Sequence, residues 1–172
     1  VSEFSAEAVQ KMYSIDTHKV IYNGIDTKVF SPDSSVETIG QSIFYFGTLS
    51  DAKGVDKLAK IFNEVNRSYP DASLHLIGKG KAYWDYLREH VLSGDAKKQT
   101  TYYGAKQLNE LPKLLSKANL ICFPTNGENF PFSFLEAMAL EKLVIASNIP
   151  VTKEIIEHKK TGFIANNESD FL

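Results

Sequence analysis

With 172 residues, of which 43% are hydrophobic, the chain is long enough for one substantial core and short for two. Its charges nearly balance, to a net of −2, which argues against a nucleic-acid-binding surface and favours small-molecule partners. The single cysteine, Cys122, excludes a disulfide framework, and no apolar segment approaches the roughly 20 residues that span a bilayer. These features predict a cytoplasmic domain. A peripheral contact with the cytoplasmic face of a membrane, through regions outside this chain, stays open.

Short apolar runs alternate with amphipathic segments along most of the chain. Nearly all of the runs are apolar on both faces, which is typical of strands in a buried parallel sheet. Between them, Leu58, Ile61, Phe62 and Val65 recur at helical spacing. This alternation predicts an α/β fold with a doubly wound parallel sheet and right-handed crossovers. The predicted strands are residues 19–22, 43–46, 73–77, 101–103, 119–123 and 143–146.

Ligands of such sheets bind outside the carboxyl ends of the strands, so the loops there are the first candidates for a site. The loop 47–54 contains Gly47 and Gly54, which allow the backbone to approach a ligand closely, and Lys53, whose charge suits a phosphate. No Ser or Thr follows a Gly-Lys pair, so the loop is not a Walker A motif. Two interpretations stay open: a diphosphate site, or a flexible turn with a solvated lysine.

A second glycine turn follows the next predicted strand. Gly78 and Gly80 resemble the start of a dinucleotide-binding fingerprint, but Tyr83 stands where the third glycine belongs. This difference disfavours a Rossmann dehydrogenase. Gly104 forms a similar turn one strand later, and both turns are compatible with close passage of a nucleotide.

Two glutamates flank an apolar run after the strand predicted at 119–123. Pro131 disfavours helical geometry at Phe130, so Glu128 is expected on a loop, whereas Glu136 is expected on a helix that Ser133 caps or begins. Separated carboxylates of this kind bind sugar hydroxyls well. Two alternatives stay open: the acid and base of a glycoside hydrolase, or two solvent-exposed side chains.

The remaining candidates favour structural roles. His75 lies inside a predicted strand and is expected to pack in or against the sheet, and Trp84 is expected in the core or at a domain interface. Between the two glutamates, Phe132, Phe134 and Leu135 are expected to pack rather than bind. No cluster of His, Cys and Asp has metal-ligand spacing, so no metal site is predicted.

Taken together, the motifs are similar to those of a known family. The sequence resembles the C-terminal, donor-binding domain of the retaining glycosyltransferases of family 4, which have the two-domain GT-B architecture. The resemblance implies a Rossmann-like doubly wound sheet that forms one half of a GT-B glycosyltransferase. It rests on residues 20–26 with 30–32, 47–49 with 53–55, 76–80, 124–131 with 136–139, and 144–147 followed by Glu154 and 161–163.

The resemblance implies a role for each matching residue. Glu128 would contact hydroxyls of the donor sugar near the reacting carbon, Glu136 would hold the ribose hydroxyls, and Lys53 would neutralise the diphosphate. Glu128 and Lys53 would be the catalytic residues, and the donor, a nucleotide diphosphate sugar, would be a substrate rather than a cofactor. The implied donor site comprises Gly47, Thr48, Lys53, Gly78, Gly80, Gly104, Glu128, Asn129, Phe130, Pro131, Phe132 and Glu136.

Some positions depart from the family pattern. Thr48 stands where the family commonly has an arginine, so part of the cationic clamp is missing, and Lys79 or Lys106 are candidates to assist Lys53. Residues 149–152 replace glycines that are usual before the later glutamate, and residues 141–142 replace a common Gly-x-Pro. These changes would suit a weakened donor site or a donor of unusual shape.

The resemblance also implies a division of the chain. Residues 1–18 would be the connection from an N-terminal domain, and residues 19–172 the nucleotide-sugar-binding domain, truncated at its C-terminal end. That absent N-terminal domain would bring the acceptor, a glycan or a lipid-linked molecule. The implied function is transfer of a hexose, with little or no activity in the isolated domain. A non-catalytic nucleotide-sugar-binding or assembly module is the alternative.

Overall fold

The computed structural model describes residues 2–16 and 19–172. Val1, Thr17 and His18 lie outside the described residues, and the predicted domain boundary after residue 18 falls there. Helix α1 (Glu3–Tyr13) occupies most of the segment that was predicted as a connection. The role of that segment as a connection to another domain stays a prediction.

Six strands form one parallel sheet in the order β3-β2-β1-β4-β5-β6. In the central strand β1, Ile43 pairs with Leu74 of β2 on one side and with Leu120 of β4 on the other. The sequence order of the strands therefore reverses between β1 and β4, and ligand sites of such sheets lie beside this switch point. The predicted doubly wound sheet is confirmed. The strands are β1 (Ser42–Phe46), β2 (Ser73–Ile77), β3 (Thr100–Tyr102), β4 (Leu120–Phe123), β5 (Leu143–Ser147) and β6 (Phe163–Ala165).

The helices between the strands bury their apolar faces against the sheet. Phe44 of β1, Phe62 of α2 and Phe134 of α6 are among the largest fully buried side chains, so the core lies between sheet and helices. Within residues 2–16 and 19–172, no helix has the length and apolarity needed to cross a membrane. The helices after α1 are α2 (Val55–Ser68), α3 (Lys81–Tyr86), a π-helical turn (Leu87–Val91), α4 (Gly94–Lys98), α5 (Leu111–Leu115), α6 (Phe132–Ala139), α7 (Thr152–Ile155) and a 3₁₀ helix (Glu168–Phe171).

Two sequence predictions differ from the observed sheet. Residues 19–22 were predicted as a strand, but they form no ladder with any described strand, and Ile21 is 75% exposed. Their apolar character therefore does not reflect burial in the sheet. Strand β6 was not predicted, because three residues with only Ala165 buried give no clear pattern. It extends the sheet beyond β5 at one edge.

Candidate active site

The loops that follow β1 and β4 meet at the switch point of the sheet. Each of them contributes one charged side chain to a direct contact: Lys53 Nζ lies 2.5 Å from Glu128 Oε1. The lysine side chain is 35% exposed and the glutamate side chain 16% exposed, so the ion pair is partly withdrawn from solvent. The structure therefore brings together two of the predicted site residues, which are 75 positions apart in sequence.

Asn126 connects the two loops through hydrogen bonds to the backbone. Its backbone N–H donates to the Ala52 carbonyl (3.1 Å), and its side-chain amide donates to the Asp51 carbonyl (2.9 Å). Lys57, in the first turn of α2, donates to the side-chain oxygen of Asn126. The loops also touch where Gly54 meets Pro124, since a Cβ at Gly54 would lie 2.0 Å from the Pro124 carbonyl oxygen. These contacts fix the position of Lys53 relative to Glu128.

Two hydroxyl groups lie close to the ion pair. Thr125 Oγ1 is 3.3 Å from Glu128 Oε1, and it is buried between the loops. The Tyr45 hydroxyl donates to the Thr48 carbonyl at 2.8 Å. Burial and, secondly, the charge of Glu128 raise the pKa of Tyr45, so this phenol stays protonated as a donor. Thr125 orients the carboxylate, and Tyr45 supports the loop that carries Lys53.

The second predicted acid, Glu136, lies on α6. The helix begins at Phe132 with Pro131 at the N-cap position, so the prediction that Ser133 caps or begins it is off by one or two residues. Desolvation raises the pKa of Glu136, which is half-buried. Among the described residues, its carboxylate has no hydrogen-bond or ion-pair partner, and it contacts neither Lys53 nor Glu128 directly. A desolvated carboxylate without partners gains from any ligand that donates hydrogen bonds.

The aromatic run between the acids has mixed roles. Phe134 is 1% exposed and packs in the core, as predicted, with its ring 4.7 Å from that of Phe123. Phe132 is 49% exposed, so the prediction that it packs is wrong. It is the first residue of α6 and comes directly after the loop that carries Glu128. The ring of Phe130 lies 5.3 Å from that of Tyr22. Asn129 is exposed, whereas Pro131 is buried.

The predicted glycines hold the loops after β1, β2 and β3 together. The Gly78 N–H donates to the Gly104 carbonyl (2.9 Å), and a Cβ at Gly78 would lie 1.7 Å from the Gly47 carbonyl oxygen. Gly80 approaches the Leu49 carbonyl less closely, with 2.7 Å for an added Cβ. Close backbone packing thus accounts for Gly78 and Gly80, whereas a Cβ at Gly47 would lie 2.9 Å from the Tyr45 hydroxyl oxygen. Passage of a nucleotide along these turns stays a prediction.

The residue at the family's arginine position and the two lysines that were candidates to assist Lys53 do not join the ion pair. Thr48 is exposed, and its carbonyl serves as the acceptor for Tyr45. Lys79 is exposed, and Lys106 lies 3.9 Å from Glu110. Within the part of the chain that the structure describes, no group of three or more His, Cys, Asp or Glu side chains could hold a metal ion.

A cleft of about 420 Å³ opens beside Glu128. Its lining includes Phe4 of α1, residues 126–129 of the loop that follows β4 and carries Glu128 (the acid loop), and Ile149 and Pro150 of the loop after β5. No functional role was predicted for Phe4, Thr125 or Asn126. Thr125 and Asn126 lie within three residues of the end of β4, a position that indicates a ligand site in a parallel sheet. Phe4 could not be found from sequence, because more than 120 residues separate it from Glu128.

The chain also matches a known protein family. The family described as "Glycosyl transferases group 1" matches residues 31–170. The chain belongs to this family. Membership of family 4 specifically stays a prediction.

Individual proteins are similar to the chain in sequence or fold. The O-antigen chain mannosyltransferase RfbU of Salmonella typhimurium is 27% identical over 174 residues, covering 91% of this chain and 43% of RfbU. The crystal structure of TarM matches with a TM-score of 0.84 at 16% identity, over 99% of this chain and 34% of TarM. Anabaena HepE, solved with UDP and glucose, matches with a TM-score of 0.77 at 21% identity, over 89% of this chain and 45% of HepE. The chain therefore spans less than half the length of each of these proteins.

Proposed function

We propose that this chain is the donor-binding half of a retaining glycosyltransferase, which transfers a hexose from a nucleotide diphosphate sugar to a glycan or lipid-linked acceptor. The observation that carries the proposal is the Lys53–Glu128 pair at the switch point of a group 1 glycosyltransferase domain. The complex of HepE with UDP and glucose supports a nucleotide-sugar ligand for this fold. The donor nucleotide, the retaining outcome and the acceptor are parts of the proposal.

The ion pair leaves capacity for a ligand on both partners. An ammonium group has three N–H donors, and Glu128 uses one donor of Lys53, so two stay available for diphosphate oxygens. Glu128 accepts through Oε1, and its Oε2 is available to a sugar hydroxyl. A diphosphate and a sugar that are joined by one bond would therefore contact adjacent atoms of the pair.

The chemistry proposed for the pair is electrostatic. When the bond between the sugar and the diphosphate breaks, negative charge accumulates on the leaving phosphate, and Lys53 would stabilise it. Backbone N–H groups at the start of α6 would add to this stabilisation, since the first turn of a helix leaves them unpaired. In the same-face route that we propose, the leaving phosphate helps to deprotonate the acceptor while Glu128 holds the donor sugar.

Glu136 provides a direct test of the nucleotide site. Its half-buried carboxylate would accept hydrogen bonds from the ribose hydroxyls, and each charge-assisted bond is worth roughly 1.5–3 kcal/mol. We expect Glu136→Gln to lower the affinity for the preferred nucleoside diphosphate about 10–100-fold in calorimetric titrations with uridine, guanosine and adenosine diphosphates. The control is Glu64→Gln on the exposed face of α2. Unchanged affinity in Glu136→Gln would remove this residue from the site.

The alternative of a non-catalytic binding or assembly module is motivated by Thr48, which provides no charge where the family pattern has an arginine. A transfer assay on the full-length protein separates the two. Transfer from the donor that binds best supports the enzyme. Tight donor binding with neither transfer nor donor hydrolysis would overturn it in favour of the module.

A further inference from the structure

Helix α1 is anchored to the far end of the chain by one carboxylate. Glu154 Oε2 accepts the backbone N–H of Glu3 (2.8 Å), and Oε1 accepts that of Phe4 (3.0 Å). Ser2, which is fully buried, caps the next N–H of the same turn through its hydroxyl, which accepts from Ser5 at 3.0 Å. A carboxylate at a helix N-terminus is favoured by the helix dipole and by charge-assisted hydrogen bonds. Glu154 therefore fixes where α1 begins on this domain.

The anchored end of α1 forms part of the cleft beside Glu128. Phe4, whose N–H is held by Glu154, lines that cleft together with residues 126–129 and Pro150. The Phe4 side chain is 38% exposed, so it forms a wall of the cleft rather than part of the core. The position of this wall depends on the two hydrogen bonds to Glu154.

A second contact reaches the same acid loop from the N-terminal part of the chain. The ring of Tyr22 packs against that of Phe130, which lies between Glu128 and Pro131. Desolvation first, and then Glu154, raise the pKa of the Tyr22 hydroxyl. Phe4 beside the cleft and Tyr22 on Phe130 thus border the acid loop from the N-terminal part of the chain.

We propose that Glu154 is a positioning residue for the donor site, which holds Phe4 at the cleft beside residues 126–129 so that Glu128 stays in place for the donor sugar. The inference rests on the proposed function, because it assumes that Glu128 contacts the sugar. Glu154 itself uses both carboxylate oxygens on α1 and does not touch the donor. Substitution of Glu154 should therefore weaken the binding of the sugar rather than the binding of the nucleotide.

The test compares two ligands on the full-length protein. In Glu154→Ala, the affinity for the nucleotide sugar should fall about 10-fold, whereas the affinity for the bare nucleoside diphosphate should change less than about 2-fold. Glu154→Gln, which keeps one acceptor, should give an intermediate loss. Glu157→Ala is the matched control, because among residues 2–16 and 19–172 the side chain of this nearby exposed glutamate pairs only with Lys160. Equal losses for both ligands, or no loss for either, would overturn the proposal.

A second variant and a second measurement keep the test independent of folding and of the proposed function. Phe4→Ala leaves the backbone bonds to Glu154 intact and should reproduce the selective loss for the nucleotide sugar. Hydrogen exchange needs no ligand: Glu154→Ala should speed exchange at residues 3–5 and at residues 126–131, and unchanged exchange at 126–131 would overturn the coupling. If the wild-type protein binds no nucleotide or nucleotide sugar, the proposed function fails, whatever the exchange data show.

Discussion

The loop after β1 is joined to its two neighbours in different ways. Towards β2, the contact is made by backbone alone, with Gly47 and Gly78 so close that a Cβ would lie 1.7 Å from a carbonyl oxygen. Towards β4, backbone also meets backbone at Gly54 and Pro124, but polar side chains add to the contact, above all Lys53, Asn126 and Glu128. Both neighbouring loops lie at the carboxyl ends of parallel strands in the same sheet, so proximity alone does not distinguish a structural loop contact from a functional one.

The difference lies in what each contact leaves available to a ligand. Backbone packing between glycines fills the space and uses the polar atoms, as in the bond from Gly78 to Gly104. The side-chain contact keeps unused donors on Lys53 and an unused oxygen on Glu128. Substitutions of the glycines on the β2 side should therefore change stability, and substitutions of the charged side chains on the β4 side should change ligand binding.

The largest expected effect is on the β2 side. Gly78→Ala places a methyl group against the Gly47 carbonyl at a φ of +146°, a conformation that alanine rarely adopts. We expect the free energy of unfolding to fall by about 4 kcal/mol or more in denaturant titrations.

Substitutions at two other glycines distinguish the effect of a steric clash from the effect of backbone strain. Gly104 has a φ of +69°, but an added Cβ would have no heavy atom within 4 Å. Gly104→Ala should therefore lower the free energy of unfolding by about 1–2 kcal/mol. Gly24→Ala has neither problem and should change stability by less than about 0.5 kcal/mol. A Gly78→Ala protein as stable as Gly24→Ala would show that the loops after β1 and β2 are not packed as described.

These glycines also show where sequence reasoning reaches its limit. A Gly-x-Gly turn after a strand indicates either a ligand or a neighbouring backbone at close range, and the sequence alone does not distinguish the two. The strands were predictable because residues such as Leu74 and Leu76 are buried within apolar runs. Residues 19–22 have a similar composition without a partner strand, since pairing depends on the rest of the sheet.

The candidate site was predictable only in part. Lys53 and Glu128 were recognised because each follows a strand, but their separation in space depends on how the two loops pack. Asn126 and Gly54 determine that packing through contacts with residues about 75 positions away, which a single sequence does not show. The bonds from Glu154 to α1 span 150 residues and had no sequence signal.

The second expected effect also concerns the β2 side and depends on pH. His75 is 6% exposed, stacks on Phe44 at 4.3 Å and hydrogen-bonds to Tyr103 (3.0 Å) and Ser73 (2.9 Å). Burial and, secondly, Lys117 lower its pKa from 6.5 to about 4. Between these values the unfolded chain binds a proton that the folded protein does not, so stability falls as the pH is lowered. The expected loss is roughly 3 kcal/mol between pH 7 and pH 4.

His75→Gln tests this origin of the pH dependence, because glutamine does not titrate. Unfolding curves of this variant should lack most of the loss between pH 7 and pH 4, although the variant itself is less stable at pH 7. The control is His90→Gln, on an exposed helical turn, which should keep the wild-type dependence. A His75→Gln protein with the full wild-type pH dependence would assign the loss to other groups.

The smallest expected effect in free energy is on the β4 side, and it should appear in binding. Lys53→Ala removes the cation proposed for the diphosphate, and we expect the affinity for nucleoside diphosphates to fall about 10–100-fold, with a smaller loss for the bare nucleoside. Because the pair is partly exposed, the free energy of unfolding should change by only about 1 kcal/mol or less. Lys60→Ala, on the exposed side of α2, is the control for removing a lysine from this region.

The combination of the two measurements in Lys53→Ala tests the contrast between the two sides of the loop. A large loss of stability would mean that the β4 contact is structural, like the glycine contact towards β2. Equal loss for nucleoside and nucleoside diphosphate would mean that Lys53 does not act on the phosphates. If stability is retained and only the affinity for diphosphates falls, the lysine binds the ligand and the rest of the loop keeps the two loops in contact. Asn126 and Gly54 provide that support, since neither of their contacts with the opposite loop involves the lysine side chain.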